Sequence, residues 1–121
     1  MIRGSVENNH ALLPVTFRSE ALGDIVAKFV VDTGYTALLT LPLRHITALG
    51  LTLIDDMEVF LADGTSGTAD VYFGVIVWHG AEREVFVLEM DSDPLLGAGL
   101  LRGSSLRIDF EESGAVTVTP L

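Results

Sequence analysis

Turn residues recur along this chain at short intervals, and the stretches between them are rich in β-branched and aromatic side chains. That punctuation constrains the fold more than any other feature, because it leaves almost no window long enough for a helical period. Asn8-Asn9, Ser19 to Asp24, Asp32-Thr33-Gly34, Ala62 to Gly67, His79-Gly80 and Met90 to Pro94 each separate two extended runs. The spacing predicts strands at Ile2 to Glu7, His10 to Phe17, Ile25 to Val31, Ala37 to Leu41, Leu51 to Leu61, Thr68 to Trp78, Arg83 to Glu89, Ser105 to Phe110 and Ala115 to Thr119. Pro14 restricts its strand to an edge or a bulge, since it has no amide hydrogen to donate. Helix is expected in two places only. Leu43 to Leu49 makes about two turns with Gly50 as the stop, and Leu95 to Leu101 runs into a short helix. The expected class is all-β and mostly antiparallel, with one or two short helices.

The 121 residues fit a single domain spanning 1–121, with 49% hydrophobic and 20% charged residues. Such a chain buries about 65% of its unfolded surface, so a packed core forms without a metal or disulfide. Cysteine is absent. That removes thiol nucleophiles and zinc-thiolate sites, and it suits a reducing cytoplasm, which is the expected location. No run approaches the ~20 apolar residues of a membrane span, and the first residues carry no leader-like stretch. The net charge of −10 repels phosphate backbones, so neither nucleic acid nor a membrane is an expected partner.

The remaining chemistry narrows quickly. His10, His45 and His79 are dispersed, without the His-Glu-x-x-His spacing of a zinc hydrolase. Ser66, Ser104 and Ser105 lack a nucleophile elbow. Asp91 and Asp93, followed by Pro94, offer too few oxygen ligands for a calcium loop. No metal or cofactor is expected, and Trp78 reads as core or interface. What stands out is Asp32-Thr33-Gly34 behind Ile25 to Val31: a stiff apolar strand ending on a carboxylate, with a glycine that permits a tight turn. Alone, the triplet also fits an ordinary Asx-turn. Its company is more informative, because Val30-Val31 precedes it, the glycine-tipped Ala62 to Gly67 hairpin follows, and Leu95-Leu96-Gly97 comes after that.

In that order the three elements resemble the retropepsin-like aspartic proteases, and the resemblance covers nearly the whole chain. It implies a single-lobed acid-protease barrel with Asp32 as the catalytic acid. Thr33 and Gly34 would support the catalytic turn, Thr33 by binding across a dimer axis. Tyr35 would line the substrate site, and Ala62, Asp63, Gly64 and Thr65 would form the flap. Leu95-Leu96-Gly97 and Leu100-Leu101 would pack beneath the turn. The motif occurs once, whereas the chemistry needs two carboxylates in one site, so the resemblance implies a homodimer acting on a peptide or protein substrate. Family dimers interleave terminal strands, which makes Met1 to Glu7 and Ala115 to Leu121 the expected interface. The alternative from another class is a catalytically silent protease-fold module that binds peptides or only dimerises, with Tyr35 narrowing the pocket.

Overall fold

In the computed structural model, which describes residues 1–121, ten strands and two short helices follow in the order β1 (Ile2–Glu7), β2 (His10–Arg18), β3 (Ile25–Asp32), β4 (Leu39–Leu41), α1 (Leu43–Leu49), β5 (Thr52–Phe60), β6 (Ser66–Trp78), β7 (Ala81–Glu89), β8 (Leu95–Gly97), α2 (Ala98–Leu101), β9 (Ser104–Ile108) and β10 (Ala115–Pro120). The β1–β2 connection is a two-residue hairpin turn. Asn8 and Asn9 both take positive φ, at 50° and 65°, as the twist of a tight hairpin demands. β2 then alternates strictly, with Ala11, Leu13, Val15 and Phe17 buried and the residues between them turned outward. α1 ends where the sequence says it must: Gly50 is left-handed at φ 66°, and the amides of Gly50 and Leu51 return to the carbonyls of Thr47 and Ile46.

The strands form one sheet in the order β5-β6-β7-β4-β8-β3-β2-β1-β10-β9, and an extra β6–β2 pairing closes six of them into a barrel. Inside it lie Leu13, Phe29, Leu39, Leu41, Ile76, Val87, Leu96 and Leu100, all fully buried, with Trp78 in the same core. Pro14 sits where its missing donor does no harm. On the side of β2 away from β3, pairing with β1 stops at Leu12 and pairing with β6 begins at Thr16, so Pro14 occupies a local gap rather than a true edge.

Several regions differ from the sequence reading: Leu95–Gly97 is a strand that precedes the helix of Ala98–Leu101, and β7 begins at Ala81 rather than Arg83. β4 is shorter than Ala37 to Leu41, because the carbonyls of Ala37 and Leu38 accept amides from Gly99 and Gly97 before the strand begins. β9 starts at Ser104 and stops at Ile108, which leaves Phe110 outside it and exposed. The terminal strands pair largely within the chain. β1 is paired on one side to β2 and on the other to β10, while β10 lies between β1 and β9. Intrachain pairing thus occupies much of the expected interface but not all of it: β1 meets β10 along Ile2–Ser5 and β2 only along Ser5–Glu7, so Ile2 to Gly4 keep one side without a strand partner.

Candidate active site

Asp32 is the last residue of β3, and its position depends on a strand distant in sequence. β8 inserts between β3 and β4, parallel to the first and antiparallel to the second, with Val30 opposite Leu95, Val31 opposite Leu96 and Asp32 opposite Gly97. The chain leaving β3 must therefore loop over the end of β8 to reach β4. That loop is Thr33 to Leu38, and it carries the motif. The Tyr35 amide returns to the Asp32 carbonyl at 3.2 Å, and the Gly34 amide donates to Asp32 Oδ1 at 2.9 Å. The second bond is the Asx-turn geometry of the inert reading. It is also a clamp that fixes the carboxylate plane and leaves the other oxygen uncommitted. Asp32 is partly exposed, with Thr33 and Gly34 exposed beside it.

Beneath the loop, three consecutive amides grip its carbonyls. Gly97 donates to Leu38 at 2.8 Å, Ala98 to Tyr35 at 2.7 Å and Gly99 to Ala37 at 3.1 Å. Such close backbone approach needs residues without side chains. A Cβ on Gly97 would lie 2.3 Å from the Ala37 carbonyl oxygen, and one on Gly99 would lie 2.8 Å from the carbonyl oxygens of Ala37 and Thr36. Thr40, the one buried polar side chain, adds a further tie by accepting the Leu95 amide at 3.2 Å. Gly97 was legible in the Leu-Leu-Gly element, whereas nothing in the sequence marked Gly99.

The β5–β6 hairpin projects from the barrel, and every residue of β5 except Val59 is exposed. Its tip is shorter than Ala62 to Gly67, because Ser66 and Gly67 already belong to β6 opposite Phe60 and Val59. Ala62, Asp63, Gly64 and Thr65 occupy the tip, all exposed, with Gly64 at φ 86°. Asp63 Oδ1 accepts both the Thr65 amide at 2.9 Å and the Thr65 hydroxyl at 2.6 Å. These two bonds, from the hydroxyl first and then the amide, hold the Asp63 carboxyl below its usual range. The Asp-x-Thr spacing is an Asx signal, and it is the sequence cue that identifies this clasp.

The sign of its pH dependence follows. A depressed carboxyl contributes order at any pH above its unfolded value and loses it only as pH falls through the lower folded value. Protection of the Thr65 amide from hydrogen exchange, relative to an unprotected amide at the same pH, is therefore expected to persist into the acid range in the parent protein. In Asp63→Ala that protection is expected to be absent at every pH, with the barrel melt unchanged.

Between the loop and this hairpin lies an apolar cleft of about 190 Å³, walled by Tyr35, Leu39, Met57, Val71, Phe86 and Leu88 among others. It is smaller than the roughly 300–1,000 Å³ of whole-ligand sites, so it fits one side chain of a larger molecule. Tyr35 is half-buried there, and burial pushes its phenol up from the ordinary value. Phe86 escaped the sequence reading, although a phenylalanine 58% exposed between buried Val85 and Val87 is the out-of-phase residue that marks such a wall. The hollow bounded by Arg18, Asp24 and Glu82 is larger, but it contains none of the turn's residues and is spanned by the Arg18–Glu82 pair at 3.0 Å.

A six-stranded barrel with a carboxylate-bearing loop over an inserted strand and a projecting hairpin is a retropepsin-like fold. Among solved structures the chain is similar to a retropepsin-like aspartic protease from Rickettsia conorii, with a TM-score of 0.58 and 21% sequence identity over 98% of this chain and 90% of that one. No protein-family model matches the sequence, and no curated protein matches it.

Proposed function

We propose that the chain is one half of an aspartic endopeptidase, completed by a second copy that supplies the other Asp32. The observation that carries this reading is the clamped carboxylate: Asp32 Oδ1 is held by the Gly34 amide at 2.9 Å at the end of β3, a strand paired to β2 on one edge and β8 on the other. Two such groups facing across a two-fold axis share one proton, because like charges that close cannot both ionise. The ionised Asp32 takes a proton from a water, which attacks the peptide carbonyl carbon. The protonated Asp32 donates to the carbonyl oxygen, and the exchange reverses to expel the amine. No metal or covalent intermediate is needed. The substrate lies extended beneath the Ala62 to Thr65 tip, sets one apolar side chain in the Tyr35–Phe86 cleft, and closure of the hairpin excludes bulk water.

The test is a diverse peptide library incubated at acid and neutral pH, with and without a transition-state inhibitor of aspartic proteases. Inhibitor-sensitive cuts are expected, and a demonstrated dimer without any cut would replace this reading with that of a silent peptide-binding module. Tyr35 refines the outcome. Tyr35→Ala is expected to move the library profile toward bulkier residues at one position by on the order of 10-fold or more, as resizing an apolar pocket does. The same substitution would raise total activity if the phenol obstructs the cleft.

A further inference from the structure

A sheet that closes on itself for six strands still leaves two ends, here β5 and β9. Each presents unpaired backbone groups, and the two are defended differently. β5 carries Asp55, Asp56 and Glu58, and Asp56 sits directly opposite Asp70 on β6. Charges of one sign along an edge keep a second copy away. β9, with sequence Ser104-Ser105-Leu106-Arg107-Ile108, holds no acid at all, although the chain as a whole carries −10. Arg102 precedes it and Arg107 lies within it, the latter reaching Asp109 just beyond the strand at 3.4 Å, so along β9 itself two strongly acidic molecules approach without facing carboxylates.

The hydrogen bonding of β9 identifies its free groups. Asp109 donates to the Ala115 carbonyl and Leu121 to the Gly103 carbonyl, and Arg107 and Ser105 lie opposite Thr117 and Thr119. The odd-numbered residues therefore exchange bonds with β10, and the even-numbered Ser104, Leu106 and Ile108 direct their amides and carbonyls away from it. An antiparallel edge is self-complementary about a two-fold axis. The edge is also held in place, since His79 Nε2 meets Ser104 Oγ at 2.7 Å and so ties the first residue of β9 to the β6–β7 turn. Its link to the catalytic loop is direct: α2, whose first amides grip Tyr35 and Ala37, is followed after only Arg102 and Gly103 by β9.

We propose that a second copy of this chain docks edge to edge on β9, antiparallel, joining the two β1-β10-β9 sheets into one continuous six-stranded sheet that adjoins both catalytic turns. The partner supplies the second Asp32, so the proposal rests on the dyad reading and names how the dyad assembles. The register that uses all three free rungs sets Leu106 on the axis, Ser104 opposite Ile108 of the partner subunit, and Ser105 opposite the partner's Arg107. No strand is exchanged. Each copy keeps β1 and β10 paired at home, so the separated chains remain folded and association is reversible.

Two measurements test this. Because the sequence has no cysteine, Ser105→Cys and Arg107→Cys chains can be oxidised separately and as a mixture. The mixture is expected to yield a disulfide-linked dimer in far greater amount than either variant alone, since facing residues of a non-hydrogen-bonded pair lie close together. Leu106→Pro removes an amide that no intrachain bond uses, so sedimentation is expected to show dimerisation weakened on the order of 100-fold or more with the circular dichroism of the parent. Should that variant unfold, the cysteine mixture alone decides. A parent protein that stays monomeric, a folded Leu106→Pro chain that dimerises like the parent, or a dimeric mixture that gives no preferential cross-link overturns the proposal. Peptide cleavage separates this outcome from the wider reading. A β9-linked dimer that cuts nothing removes the peptidase alone, and an Asp32-dependent peptidase that ignores both changes removes only this interface.

Discussion

An Asp32→Asn chain is expected to fold and sediment like the parent and to cleave peptides at least about 10³-fold more slowly, the scale of a lost general acid and base. The amide oxygen of asparagine still accepts the Gly34 hydrogen bond that holds Oδ1 at 2.9 Å, so the turn keeps its shape. What disappears is a group able to take and return a proton. The same variant probes the stoichiometry. If, as proposed, each site needs a carboxylate from both copies, a mixed dimer is expected to be as inactive as the double variant. Activity in mixtures is then expected to fall as the square of the parent fraction, and a linear fall would show that one Asp32 suffices and that the dyad is wrong.

Gly97→Ala should do comparable damage by a different route. The new methyl would stand 2.3 Å from the Ala37 carbonyl oxygen and 2.6 Å from that of Tyr35, and both are backbone atoms with nowhere to go. Gly97 has an ordinary extended backbone, φ −90°, so the penalty is steric and owes nothing to handedness. Either β8 withdraws from the loop or the loop lifts, and both break the amide contacts from Gly97, Ala98 and Gly99. Overpacking of this kind costs about 1–3 kcal/mol or more. A lowered melting temperature is expected together with loss of Asp32-dependent cleavage. Parent-like activity with Ala at position 97 would mean that the β8 seat does not position the turn.

What the sequence revealed was local. Turn pairs such as Asn8-Asn9, the period of two in β2, and Gly50 after Leu49 each act within a few residues, and each predicts its element closely. The site was legible to the same depth: Asp32 at a strand end, a glycine-tipped hairpin, and Leu95-Leu96-Gly97. Pairings between distant strands left no such trace. Nothing in Leu95-Leu96-Gly97 specifies that it slots between β3 and β4, and nothing in Ile2 to Glu7 or Ala115 to Pro120 distinguishes pairing within the chain from pairing with a partner. Both choices leave identical alternation, because a strand's pattern reports which face is buried and not whose edge it meets. Phe86 and Met57 were missed for a related reason, since an exposed apolar residue acquires meaning only when Tyr35 is found across the cleft.

The insertion of β8 also fixes when the turn can form. Asp32 and Gly97 are neighbours in the sheet yet about 65 residues apart in the chain, and closing so long a loop precedes any gain from the parallel pairing it permits. The hairpins β1–β2 and β6–β7 need no such closure. A nascent chain therefore displays Asp-Thr-Gly early but lacks the seat that shapes it until β8 and α2 have been made.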